Sequence, residues 1–188
     1  MLTITYAQLW AAISAIWCLV RGAAALRTRK VCWKREAQLL LVYVCIVVAA
    51  RFTFFPFEKV EGVIQPLVFD EDRLLPLRIN LTPLVNLTDY ESTRDALRNA
   101  FGNTAMFIPM GIVWPVVFRQ LNNTRRAMAA GAGLSLCIEL MQLPFPDRVT
   151  DIDDLLLNTA GFAIGYGVYR IARKIHTVRK GKTNGVQN

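Results

Sequence analysis

Histidine is nearly absent from this chain: a single residue, His176, stands in a basic stretch near the C-terminal end, where it is expected to be solvated. Four cysteines are present, Cys18, Cys32, Cys45 and Cys137, and no two have C-x-x-C spacing. No zinc-spaced set, Cys–His pair, Ser–His–Asp triad or disulfide framework is therefore available. No cofactor or metal set is expected, and Asp is the remaining nucleophile for any covalent chemistry. Acids are scarce outside one segment, 57–97, so the net charge is +8. There is no internal repeat of the kind many secondary transporters carry, although assembly into a homo-oligomer would supply a symmetry of its own.

What the chain has instead is apolar length. Five runs of about twenty residues, the length that crosses roughly 30 Å of hydrocarbon at 1.5 Å per residue, fall at 4–26, 37–56, 98–118, 127–143 and 153–172. The expectation is an all-α, polytopic membrane bundle of about five transmembrane helices. The first run has no basic residue before it and no A-x-A-like site after it, so it reads as a retained span rather than a cleaved signal. It carries little polarity beyond Gln8 and Ser14, as suits a helix facing lipid or packing against one neighbour. Residues 1–36 form this first helix and a basic loop, 37–173 the transmembrane core, and 174–188 a basic tail.

The positive charge sits in three clusters: Arg21 to Arg35, Arg119 to Arg126, and Arg170 to Lys182. Only Glu36 offsets them. They follow the first, third and fifth runs, as the positive-inside rule requires of cytoplasmic segments, which places the N-terminus outside and the C-terminus inside. Contact with anionic lipid headgroups accounts for such clusters, and no nucleic-acid partner is expected. The outer loop, 57–97, is apolar but broken by proline and should lie on or dip into the outer leaflet. Ser92 to Asp95, S-T-R-D, resembles a helix N-terminus with a capping box.

Polar residues interrupt four of the runs, always at the outer end. Ionisable and amide groups at membrane depth are costly and face protein or a water-filled cavity, so each is a candidate functional residue. Arg51 opens the R-F-T-F-F-P-F end of the second run; it either snorkels outward or holds an anionic partner such as Glu139 or a ligand's headgroup. Asn99 and Asn103 lie one turn apart on the third run, in line with Phe107. Pro109 and Pro115 should kink that helix and free carbonyls for a neighbour. Glu139 and Gln142 share a face of the fourth, where a buried carboxylate must be paired, hydrated or protonated. In R-V-T-D-I-D-D-L-L-L-N, Arg148 to Asn158, the residues Asp151, Asp154 and Asn158 form one stripe, with Asp153 pointing elsewhere. Thr150 with Asp153 imitates a capping box. Gly161 and Gly165 continue the stripe as a small-x-x-x-small face for a close helix neighbour.

These stretches, in this order, resemble the VanZ-like family of bacterial membrane proteins. The resemblance covers roughly residues 45–170 and rests on N-L-T-P-L (Asn80 to Leu84), N-A-F-G-N-T-A-M-F-I-P-M-G (Asn99 to Gly111), I-E-L-M-Q (Ile138 to Gln142) and D-I-D-D-L-L-L-N-T-A-G (Asp151 to Gly161). Met110 stands where the family usually has Phe. The resemblance implies a multi-pass protein of the bacterial cytoplasmic membrane with a role at its outer surface. Its best-known member accompanies glycopeptide-resistance genes and raises resistance to teicoplanin, a lipid-tailed antibiotic.

Three functions are then weighed. In the favoured one the protein handles an amphiphile at the outer leaflet. Arg51 and Arg148 would hold its anionic group, Asn80, Asn99, Asn103, Gln142 and Asn158 would hydrogen-bond its head, and apolar helix faces among the membrane lipids would accommodate its tail. The alternative is an intramembrane acid/base enzyme acting on a lipid-linked cell-wall precursor or lipid headgroup, with Glu139 as general base and Asp151 and Asp154 supplying the acid. The third is a scaffold or transporter component in which these residues only fix helix register.

Overall fold

The computed structural model describes residues 2–55, 62–69, 79–83, 93–145 and 148–184, the side chains of 93, 95 and 181–184 excepted. Five α-helices account for most of these residues: α1 (Tyr6–Thr28), α2 (Trp33–Phe54), α3 (Thr93–Val117), α4 (Thr124–Gln142) and α5 (Ile152–Asn184). A 3-10 turn, Arg119–Asn122, joins α3 to α4. Each helix matches one of the expected runs. The fifth extends well past its apolar run into the basic tail. Most of the 57–97 loop and the Ser92 cap lie outside the described residues.

Local chemistry sets several of the boundaries. Thr5 and Gln8 cap α1 reciprocally, side chain to backbone amide in each direction, and Arg29 closes it in a left-handed turn at φ 50°. Asn123 caps α4 by accepting the Arg126 amide at 3.2 Å. The α3 helix runs unbroken through Pro109 and Pro115.

Four short strands were not expected from an all-α reading. β1 (Leu2–Ile4) pairs antiparallel with β2 (Leu67–Phe69), and β3 (Ile79–Asn80) pairs parallel with β4 (Thr150–Asp151). Extended backbone leaves its amides and carbonyls open, and pairing two such segments satisfies both. The register sets Asn80 opposite Asp151, so the loop is fastened to the start of α5.

The α3–α5 pair has the most extensive contact in the molecule; α4 and α2 flank it, on α5 and α3 respectively. Phe107, Met110, Phe162 and Tyr166 form its core together with Ala49, Ala127 and Ile138. By length and composition, α1, α2 and residues Ala96–Val117 of α3 can each cross a membrane. The α4 and α5 helices are 19 and 33 residues long but less apolar, since Arg125 and Arg126 open α4 and the basic tail makes up the last part of α5. No residue of α1 is buried. It is held to α2 by Trp10 and Ser14, both hydrogen-bonded to the Tyr43 hydroxyl, and at its far end by an Arg21–Glu36 ion pair.

The expected small-residue face is present, and glycine is required there. A β-carbon on Gly161 would lie 2.0 Å from the Thr104 carbonyl oxygen, and one on Gly165 would lie 2.1 Å from that of Ile108. On the facing helix, one on Gly111 would meet the Phe162 carbonyl at 2.2 Å. Backbone cannot swing aside as a side chain can, so any substituent separates α3 from α5. Gly165→Ala is expected to destabilise the fold by about 1–3 kcal/mol, the usual range for overpacking. Gly167→Ala, on the same helix with nothing within 4 Å, is expected to be neutral or mildly stabilising. Thermal unfolding of the two variants in one detergent measures the contrast; equal melting would show that the helices are not in the close register described.

Candidate functional site

The end of α2 is where the site begins. A helix leaves its last carbonyls without amide partners, and Pro56, two residues on, has no N–H to offer. Three side chains take up the task. The Gln142 amide donates to the Thr53 carbonyl at 2.6 Å, Arg148 to that of Phe54 at 2.7 Å, and Arg51 to that of Phe55 at 3.2 Å. Cations also complement the negative end of a helix dipole. The Arg51 guanidinium lies over the rings of Tyr6 and Phe52, 5.7 and 5.4 Å from their centroids. An ion pair between Arg51 and Glu139, one of the two expectations for that arginine, is not formed.

Glu139 instead faces the start of α5. It is 3% exposed, and its carboxylate accepts the Asp151 amide at 3.0 Å. The Thr150 hydroxyl donates to the Glu139 carbonyl at 3.0 Å. The capping box expected of Thr150 and Asp153 is therefore absent. Asp151 is the cap: its carboxylate accepts the Asp153 amide at 3.0 Å and the Asn80 side-chain amide at 3.3 Å. Asp151 precedes α5 as part of β4, so it does not share a helical stripe with Asp154 and Asn158. The sequence could not distinguish the two caps, since Thr and Asp are both good N-cap residues and stand side by side.

Asp154, in the first turn of α5, is held by amides from α3. Asn103 donates to it and to Asn99 at 3.2 Å, and Asn99 hydrogen-bonds the same carboxylate. The acids lie within electrostatic reach of one another: Asp151 and Asp154 act on Glu139, and Asp151 and Asp153 act on Asp154. Deeper along α5, Asn158 is 1% exposed and donates to the Ser135 hydroxyl at 3.0 Å.

The structure thus brings Asn80, Asn99, Asn103, Glu139, Asp151 and Asp154 into one cluster. Gln142, Arg51 and Arg148 lie on its α2 side, and Asn158 lies below. Three participants were not anticipated. Asp153 is buried rather than turned away, because the first turn of α5 is enclosed on more than one face. Ser135 stands four residues before Glu139 and so shares its face, a spacing that could have revealed it. Thr53 acts through its carbonyl, which no side-chain pattern reports.

Chemically the cluster is rich in acceptors. Glu139 and Asp154 have only neutral hydrogen-bond partners among the described residues. The Gln142 and Asn158 side-chain oxygens are buried with no protein donor there. No group of three or more His, Cys, Asp or Glu among the described residues is spaced to hold a metal ion.

Asp151 offers a separation of charge from capping. Asp151→Ala removes the acceptor for the Asp153 amide and is expected to cost about 0.5–2 kcal/mol. Asp151→Asn keeps an equally good cap and is expected to melt within a few degrees of the unmodified protein. A melting curve in which Asn falls as far as Ala would refute the capping role.

With this geometry in hand, comparison with known proteins gives a family. Residues 40–173 match VanZ/LLP1. Over 90 residues, 48% of this chain, the sequence is 32% identical to Protein VanZ of Enterococcus faecium. The aligned region spans 55% of that protein's length. No solved structure shows a significant match. The chain belongs to the VanZ/LLP1 family and is a membrane protein; α1 lies outside the family match.

Proposed function

We propose that this VanZ/LLP1-family chain binds the polar head of an amphiphile at the outer face of a bacterial cytoplasmic membrane. Five passes, with the N-terminus outside, place the basic clusters in the cytoplasm as the positive-inside rule requires. The cluster then lies at the outer leaflet. The observation that carries the reading is the excess of acceptors: Glu139 and Asp154 without cationic partners among the described residues, and the two buried side-chain oxygens of Gln142 and Asn158. Buried acceptors left unmet cost about 1–3 kcal/mol each, so a head carrying N–H, O–H or ammonium donors is the fitting ligand. Arg51 and Arg148 border this surface and suit an anionic group on the same head.

The likeness to Protein VanZ makes lipid-tailed glycopeptides such as teicoplanin the first ligands to try. A second reading, an acid/base enzyme on a lipid-linked precursor, is favoured by one feature. Glu139 is a buried carboxylate held by a single backbone amide, an arrangement open to proton transfer. A bacterium expressing this chain is expected to be protected against teicoplanin more than against vancomycin. Glu139→Gln and Asp154→Asn, at matched expression, are each expected to abolish that protection. Protection that survives both substitutions would place the function elsewhere. Well-expressed wild type without protection would exclude this copy from resistance.

A further inference from the structure

The opposite end of the bundle holds a second site. Between the start of α2 and the end of α3 lies an open cavity of about 560 Å³, within the roughly 300–1,000 Å³ usual for small-ligand pockets. Lys34, Arg35, Gln38, Arg119 and Gln120 line its polar side and Val116 its apolar side, with no acid among its lining residues. Arg35 is committed: it donates to the Val117 carbonyl that ends α3 and lies over the Phe118 ring. That contact fixes the α2 start against α3 and gives the cavity its shape.

The Lys34 and Arg119 side chains are exposed and form no ion pair or hydrogen bond among the described residues. They come from different elements, so the fold rather than the sequence neighbourhood places them together. The first amides of α2 add to the same potential, since Cys32 caps the helix without a side-chain hydrogen bond. Below the cations the surface turns apolar: Val116 is half exposed, as is Leu41 on α2. Trp33, next to Lys34 in the chain and 81% exposed, is a residue type enriched at the membrane–water interface.

We propose that this cavity binds the phosphate of an anionic glycerophospholipid at the basic face of the bundle. The two unpaired cations and the two glutamines take the headgroup, and the acyl chains run down the exposed faces of α2 and α3. A soluble phosphate fits the polar side alone and leaves the apolar continuation unused. The site is independent of the acceptor cluster at the other end.

The test uses the full chain in neutral detergent, titrated with phosphatidylglycerol and read by native mass spectrometry. One phosphatidylglycerol is expected to remain bound where phosphatidylcholine does not. Lys34→Gln with Arg119→Gln is expected to weaken retention by about thirtyfold, taking roughly a factor of five per cation. Arg173→Gln with Lys174→Gln removes the same charge from the tail and is expected to change retention less than threefold. Gln38→Glu, which places an anion in the cavity while leaving both cations, is expected to weaken binding as well; this checks the site should the double variant misfold. Equal losses from the tail variant would reduce the effect to net charge and overturn the proposal. So would equal retention of phosphatidylcholine, or equally tight binding of glycerol phosphate with the same dependence on Lys34 and Arg119.

Discussion

Helix ends that stop near apolar surroundings must find partners for their backbone groups, and this requirement organises the whole molecule. At the end of α2 the carbonyls of Thr53, Phe54 and Phe55 are taken by Gln142, Arg148 and Arg51. One partner comes from α4, one from the loop before α5 and one from α2 itself, so satisfying a single helix terminus also locks three segments together. The basic end repeats the device. Arg35 serves the last carbonyl of α3, and the Tyr166 hydroxyl and Arg170 reach the Asn122 carbonyl in the 3-10 turn. In a medium without water to complete backbone hydrogen bonding, such contacts matter more than exposed ion pairs do.

This division of labour gives the arginines a duty that a sequence reading misses. An arginine at membrane depth reads as an anion-binding residue or as one end of an ion pair. The carbonyls that occupy Arg51 and Arg148 belong to phenylalanines, which carry no polar side-chain signature. The amides and acids were more legible. Asn99 with Asn103 and Glu139 with Gln142 stand one turn apart in segments otherwise apolar, so their faces follow from helical geometry alone. That geometry fails where the helix has not yet begun. Asp151 sits in a short strand, and its partner Asn80 arrives from 71 residues away through a strand pairing that no local pattern predicts.

Glycine links the site to the packing. The α3 and α5 backbones approach closely enough at Gly111, Gly161 and Gly165 that no β-carbon fits. The same approach brings Asn103 on α3 within hydrogen-bond reach of Asp154 on α5. Gly161-x-x-x-Gly165 was legible as a seam because it continues the face of Asp154 and Asn158. Its partner was not, since Gly111 lies between two prolines whose effect on helix direction is not written in spacing.

The acids at positions 139 and 154 are the strongest argument that the cluster does more than hold the fold. Among the described residues, the side-chain hydrogen bond of Glu139 would be met by a neutral glutamine, whose side-chain oxygen can accept the Asp151 amide as well. Asparagine at 154 would likewise accept from Asn99 and Asn103. Neutral amides would avoid placing like charges near one another in partly desolvated surroundings, a cost that burial increases. Structure alone therefore favours amides at both positions, and the chain already uses them at 80, 99, 103, 142 and 158. What carboxylates add is charge and the capacity to exchange a proton. Either property serves a ligand with donors or a reaction, and neither is needed to keep α4 against α5.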